Sequence, residues 1–267
     1  EEIFPGFIFF DYKGDPKNLL ELKTVDDILI LVKKLIEIDR YKKSLGKIRF
    51  QLENINFIKQ LFFIRKIRKT LEKINYNVTA SYIGRRDYKS SEIKESITRI
   101  INRHTDWKYN KEEYELHFKT FLSNEISFLG LSIDDVPLFI KRKIKTVPGS
   151  IKSGLANIMI NICELQKKDT ILDPACGSGM IAIESLNITN KVYANDHDKE
   201  ILEIAKNNAI SKNKNIEFSN YDIKKSKFEN DTFDKIICNL PFGKQVEKQP
   251  DFIKDFIHEL KRISKSK

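Results

Sequence analysis

The stretch Thr170-Ile-Leu-Asp-Pro-Ala-Cys-Gly-Ser-Gly-Met180 constrains the fold more than any other part of this sequence. A short apolar run ends in an acid, Pro174 stiffens the exit, and Gly177 and Gly179 turn the backbone toward an apolar helix starting at Met180. Glycines at such a turn adopt conformations other residues avoid, and they let a ligand approach the backbone N–H groups of the helix start. The residues around this turn alternate strand and helix. Periodicity predicts a helix over 151–165, strands at 170–172, 192–194, 216–218 and 233–238, and helices over 180–186, 201–209 and 252–263. This βαβ arithmetic specifies an α/β fold with a mainly parallel, doubly wound sheet. Four strands fall short of the roughly six such a sheet carries, so the C-terminus is expected to be incomplete.

The N-terminal half has a different rhythm. A β-rich run, 7–12, follows the Pro5-Gly6 turn, and a second apolar run spans 28–32. Phe57, Leu61, Ile64, Ile67, Leu71 and Ile74 recur at helical spacing among Lys and Arg, which predicts an amphipathic basic helix over 57–74. A new α+β unit is expected next, with a strand at 78–83, a helix at 91–103 and strands at 114–122 and 126–133. It ends at Pro137. The basic run Lys141-Arg142-Lys143-Ile144-Lys145 and the Pro148-Gly149-Ser150 breaker then mark the expected domain boundary, with 141–150 as a linker.

Charge follows the same division. The chain holds 48 Lys and Arg against 38 Asp and Glu. Residues 1–150 contain 29 of the basic and 21 of the acidic residues, whereas 151–267 are nearly balanced. The half suited to a polyanion is therefore the N-terminal one, although a Lys-rich composition also serves solubility. Cys163, Cys176 and Cys238 form no CxxC pair and are odd in number, which argues against a disulfide framework or zinc ribbon and fits a reducing cytoplasm. No apolar run approaches the roughly 20 residues of a membrane span, and no signal-peptide pattern opens the chain. The first residue is Glu1 rather than Met, so an upstream segment is expected to be missing.

The candidate chemistry lies in two turns. About twenty residues beyond the glycine turn, Asp196 ends the next predicted strand, where a carboxylate accepts ribose hydroxyls. Asp173, Pro174, Cys176, Gly177, Gly179 and Asp196 therefore form the candidate cofactor cradle. Asp222, after the third strand, either receives an adenine amino group or is a solvent-exposed turn acid. His197 and Asp198 read as solvent or helix-capping residues. No Gly-Lys-Ser/Thr follows the turn, which excludes a P-loop, and Gly-x-Gly-x-x-Gly is absent, which disfavours a nicotinamide enzyme. Cys176 has no basic neighbour in sequence to lower its pKa and reads as packing. The second turn, Asn239-Leu240-Pro241-Phe242, closes the fourth strand at its carboxyl end, where open α/β sheets bind ligands. Pro241 holds Leu240 extended, so the Asn239 side-chain oxygen and the Leu240 carbonyl can accept both hydrogens of an exocyclic –NH2. Phe242 can stack on the base. Such acceptors orient a weakly nucleophilic amine without acting as a base, which suits methyl transfer from S-adenosylmethionine.

These residues carry a family resemblance. Asp173-Pro-Ala-Cys-Gly-Ser-Gly-Met-Ile-Ala-Ile-Glu184 resembles the signature of THUMP-domain RNA guanine-N2 methyltransferases, and so do Gly130-Leu-Ser-Ile, Pro137-Leu138, Ala205-x-x-Asn208-Ala209 and Asn239-Leu-Pro-Phe-Gly-Lys244. The likeness runs from about Val78 to the end. Ala175 replaces a larger apolar residue, and Leu240 replaces the commoner second proline. The resemblance implies a ferredoxin-like remnant at 1–75, a THUMP domain at 76–140 and a Rossmann-like methyltransferase domain at 151–267. It also implies S-adenosylmethionine as cofactor, with Asn239 shared between cofactor and acceptor, and a protein that holds the acceptor end and stem of tRNA. A cytoplasmic location is expected from the cysteines, and a monomer is the expected oligomeric state. Guanosine 6 is the first expected target. Guanosine 10, a large-subunit rRNA guanine, an N6-adenine target on DNA and a non-catalytic RNA-binding subunit stay open. Arg85, Arg86, Lys141, Arg142 and Lys143 are the candidate phosphate contacts.

Overall fold

Hydrophobic spacing builds two compact units, one from Glu1–Leu22 with Asp27–Leu138 and the other from Lys23–Asp26 with Phe139–Lys267. The structure is a computed structural model that describes residues 2–4, 6–70, 72–134, 144–240 and 252–265. No helix among these is long and apolar enough to cross a membrane.

In the first unit, β1 (Glu2–Phe4) and β2 (Phe7–Phe9) form an antiparallel ribbon. A five-stranded mixed sheet follows, from β3 (Leu29–Lys34), β4 (Asn75–Tyr82), β5 (Lys108–Tyr109), β6 (Leu116–Leu122) and β7 (Ser127–Ser132) in the order β3-β7-β6-β4-β5. The helices are α1 (Ser44–Leu52), α2 (Phe57–Ile67) and α3 (Ser90–His104). In α3, Ile93, Ile97, Ile100 and Ile101 form one buried stripe, and the Lys89 N–H donates to Glu92 Oε2 at the helix start.

Two expectations change here. The division at 75/76 is absent, because β3 pairs antiparallel with β7 and Ile48, Leu52 and Phe57 share one core with Tyr76, Val78 and Phe118. The Phe57 and Phe118 rings meet edge to face at 5.7 Å. Helix α2 also stops at Ile67 rather than running to Ile74. Arg68 is extended, with φ −145° and ψ 160°, and its guanidinium is drawn to the Ile133 and Glu115 carbonyls. Ile74 then leads into β4.

The second unit has the predicted alternation. Its strands are β8 (Thr170–Asp173), β9 (Lys191–Asn195), β10 (Glu217–Ser219) and β11 (Lys235–Ile236), and its helices are α4 (Ser153–Ile162), α5 (Met180–Ser185), α6 (Lys199–Ser211) and α7 (Phe252–Ile263). The sheet order β10-β9-β8-β11 is parallel throughout, the 3-2-1-4 arrangement of a Rossmann-like half. Asp173 pairs with Ala194 and Asn195 with Ser219, so the carboxyl ends of three neighbouring strands share one edge. Leu172 pairs with Ile236, which brings the segment leading to Asn239 to the same edge. The expected linker is part of this unit from residue 144 onward, since Ile144 is buried in its core.

Gly179 shows why the turn needs glycine. Its φ is +83°, and a Cβ there would lie 3.2 Å from the Cβ of Ala205 on α6. Gly179→Ala should lower unfolding free energy by about 1–3 kcal/mol, measured by denaturant titration. An unchanged midpoint would show that the turn tolerates a side chain.

Candidate active site

The glycine turn is held in place by the neighbouring strand. Asp196, just past β9, is buried and accepts from the Gly177 N–H at 2.9 Å and the Asp198 N–H at 3.1 Å. The Cys176 N–H donates to the Asn195 carbonyl at 2.8 Å, and the Gly179 N–H donates to the Cys176 carbonyl at 2.8 Å. Gly177 has φ +54°. Asp198 caps α6 by accepting from the Glu200 and Ile201 N–H groups, while the His197 side chain is exposed.

Asn195 is a member of this edge that motif reading missed. Its amide donates to the Pro174 and Tyr221 carbonyls, and its oxygen accepts from Ser219 Oγ and the Tyr221 N–H. One buried side chain therefore ties together the ends of β8, β9 and β10. A lone asparagine at a strand end has no spacing signature to reveal that role.

Asp173 is only 2% exposed, and its Oδ1 has no hydrogen-bond partner among the described residues. Burial, reinforced by the charge of Asp196, pushes its carboxyl up to about 8. An unfolded chain ionises this group near 3.8, so the folded state binds the extra proton between about pH 4 and 8. Stability should therefore fall as pH rises through that window and level off above it. Asp173→Asn should remove this slope and gain stability relative to the parent as pH rises, read by thermal unfolding at pH 5 to 8 without cofactor. Parallel curves would refute the assignment. Burial also pushes the thiols of Cys176 and Cys238 far up, so neither is a nucleophile.

Asn239 meets the glycine turn through residues 147–150. Asn239 Nδ2 donates to the Gly149 carbonyl at 3.0 Å, which leaves Oδ1 as the acceptor end of that amide. Ser150 Oγ donates to Ser178 Oγ and accepts from the Val147 N–H, both at 2.9 Å. Val147 faces Gly177, with a methyl 3.7 Å from where a Cβ would stand. The side chain of Leu240 packs beside the Leu172–Phe233–Phe256 cluster.

Other candidates are placed differently. Asp222 is about half exposed; it caps a short 3-10 turn by accepting from the Lys224 N–H and pairs with Lys224 Nζ at 3.7 Å. Arg85 is exposed. Arg86 turns inward instead, because the Ile38 and Asp39 carbonyls and Tyr88 Oη take its Nη1. That use replaces the expected phosphate contact. Pro241, Phe242, Lys141, Arg142 and Lys143 lie outside the described residues.

A parallel 3-2-1-4 sheet with a positive-φ glycine turn, a buried acid just past the adjoining strand and the anchored Asn239 amide beside that turn defines a Rossmann-like domain of the methyltransferase type. Residues 141–267 match the family UPF0020, described as RMKL-like, methyltransferase domain. The U6 snRNA (guanine-N(2))-methyltransferase THUMPD2 of Bos taurus is 29% identical over 161 residues, 59% of this chain and 32% of that protein. The tRNA (guanine(6)-N2)-methyltransferase of Thermus thermophilus is 25% identical over 173 residues, covering 63% of this chain and 52% of that protein. Among solved structures, TrmN from Thermus thermophilus superposes with a TM-score of 0.69 at 20% identity, covering 94% of this chain and 73% of that one. The chain thus spans about a third to a half of the curated relatives it matches.

Proposed function

We propose that this chain is the RNA-holding and methyl-transferring part of an S-adenosylmethionine-dependent RNA guanine-N2 methyltransferase. The observation that carries the reading is the anchored Asn239 amide, whose Nδ2 is held by the Gly149 carbonyl beside the glycine turn. The relatives support it, since both printed names specify the same guanine-N2 chemistry on two different RNAs.

The residues present fit the cofactor. Gly177 and Gly179 supply the positive-φ backbone of the turn, and Asp173 presents an unpartnered buried oxygen of the kind that a cationic ligand satisfies. Asp173, Asp196 and the backbone of 176–179 would hold S-adenosylmethionine, with Pro174 stiffening the turn and Asp222 as a further candidate. When bound, that group supplies an electrophilic methyl. Asn239 Oδ1 and the Leu240 carbonyl accept the two hydrogens of the guanine 2-amino group and aim its lone pair, and Phe242 stacks on the ring. Asn239 cannot take a proton. The amine keeps its hydrogens during attack and loses one to solvent once nitrogen carries positive charge.

The first unit, together with the 141–143 basic run, takes the RNA-binding part of the reading; residues 1–150 hold most of the excess positive charge of the chain. Arg85 and the 141–143 basic run are the proposed phosphate contacts, and Arg86 is withdrawn from that set. The THUMP name belongs to this unit as part of the same proposal. A paired target guanosine must be unstacked and extruded, at a cost of a few kcal/mol that RNA contacts offset. Of the candidate RNAs, tRNA guanosine 6 is the first choice.

The test is incubation with labelled S-adenosylmethionine and, in separate arms, bulk tRNA and U6 snRNA, followed by mass spectrometry of the nucleosides. N2-methylguanosine in either arm supports the reading, and the arm names the RNA. Cofactor binding with no N2-methylguanosine in either arm would favour a non-catalytic RNA-binding subunit.

A further inference from the structure

Asn208 lies near the end of α6, is 5% exposed and has no place among the groups that would touch cofactor or RNA. Its hydrogen bonds are nevertheless fully directed. Nδ2 donates to the Lys145 carbonyl at 2.8 Å and to the Ser178 carbonyl at 2.9 Å, and Oδ1 accepts from the Lys145 N–H at 2.9 Å. A single amide therefore pairs with both backbone groups of Lys145, as a strand partner would, and grips the glycine turn with its second N–H. Beyond Lys145 the chain makes the tight turn of 147–150. There the Ser150 N–H donates to the Val147 carbonyl at 3.0 Å, and Gly149 receives the Asn239 amide. A continuous line of bonds joins α6, the glycine turn, the 144–150 segment and Asn239.

We infer that Asn208 is a positioning residue that fixes the Asn239 amide relative to the glycine turn, acting through the backbone of Lys145 and the carbonyl of Gly149. The inference deepens the proposed function and rests on that reading for its consequence in methyl transfer. The geometry is specific to asparagine. Aspartate would face two carbonyls with an acceptor, serine is too short to reach both segments, and glutamine adds a methylene where the site is closed. The Gly179 turn keeps its other supports without Asn208, because Asp196 and Asn195 hold it from β9. Loss of the clamp should therefore displace the 144–150 segment and Asn239 more than the cofactor cradle. Misplacing a reacting group by about 1 Å is enough to cost about 100-fold in rate.

The test compares parent, Asn208→Ala and Ser150→Ala in three measurements on the full chain. The first is the ¹⁵N–¹H signal of the Asn239 side-chain amide without cofactor, identified by its absence in Asn239→Ala. In Asn208→Ala this signal should move to the position of a solvent-exposed asparagine while the rest of the spectrum stays native. The second is calorimetric titration with S-adenosylmethionine, where the dissociation constant should change less than about fivefold. The third is single-turnover transfer, which should slow about 100-fold. Ser150→Ala, which loosens the other end of the segment, should move the amide signal and the rate in the same direction by less, and it carries the test if Asn208→Ala does not fold. An unmoved Asn239 signal in a folded variant, or a rate within threefold of the parent, overturns the positioning role. A parent chain that shows the anchored amide yet neither binds the cofactor nor transfers methyl refutes the proposed function instead, while the amide signal still decides the clamp.

Discussion

Replacing Asn239 with alanine should slow methyl transfer by about 10²–10³-fold while leaving the affinity for S-adenosylmethionine within about threefold of the parent. The separation follows from where its atoms go. Nδ2 is spent on the Gly149 carbonyl, so the working atom is Oδ1, an acceptor for an amine that becomes positively charged during attack. An interaction that strengthens as charge develops lowers the barrier more than it tightens ground-state binding. The cofactor cradle draws on Asp173, Asp196 and the glycine turn, none of which depends on the Asn239 side chain for a hydrogen bond. Asn239→Asp sharpens the test. The carboxylate still offers an acceptor, but it cannot donate to Gly149 and would face that carbonyl with like polarity, so it should recover little activity. Single-turnover kinetics with saturating cofactor separate the two steps. Normal turnover in Asn239→Ala would remove this residue from the chemistry.

The strands and helices of the second unit were legible because each is short, apolar and closed by local punctuation. The run Thr170-Ile-Leu-Asp173, the glycines after it and the Asp198 cap of α6 all signal within a few residues of where they act. What the sequence hid depends on partners far along the chain. The segment 144–150 resembles a linker, with a basic run and Pro148-Gly149-Ser150, yet it is pinned by Asn208 from 63 residues away and by Ser178 from 28. Helix α2 was overextended for a related reason. Leu71 and Ile74 continue the helical spacing, but Arg68 is pulled out by carbonyls 65 and 47 residues distant. Helix α1 went unread because Gly46 falls in its first turn and only Leu45, Ile48 and Leu52 are apolar on its buried face. Arg86 illustrates the same limit for charge, since a guanidinium that reads as phosphate-seeking is committed to carbonyls at 38 and 39.

Asp196→Asn should weaken S-adenosylmethionine binding about 100-fold, with transfer at saturating cofactor changed far less. Hydrogen bonds to a charged group contribute about 1.5–3 kcal/mol each, and a carboxylate facing a ribose offers two such acceptors where the amide offers one. The substitution is chosen to spare the fold. Asparagine Oδ1 can still take the Gly177 N–H, so only one of the two present backbone contacts need be lost, at about 1 kcal/mol of stability. It has a second consequence, because the charge of Asp196 is one of the two causes that raise the Asp173 carboxyl. Without that charge Asp173 should ionise at lower pH, and the fall in cofactor-free stability should end earlier than in the parent. Calorimetric titration reads the first effect and thermal unfolding across pH 5 to 8 the second. Unchanged affinity would remove Asp196 from the cofactor site. Reduced affinity with an unaltered pH profile would retain it there and show that burial alone keeps Asp173 protonated, so the two measurements assign the roles of the two acids separately.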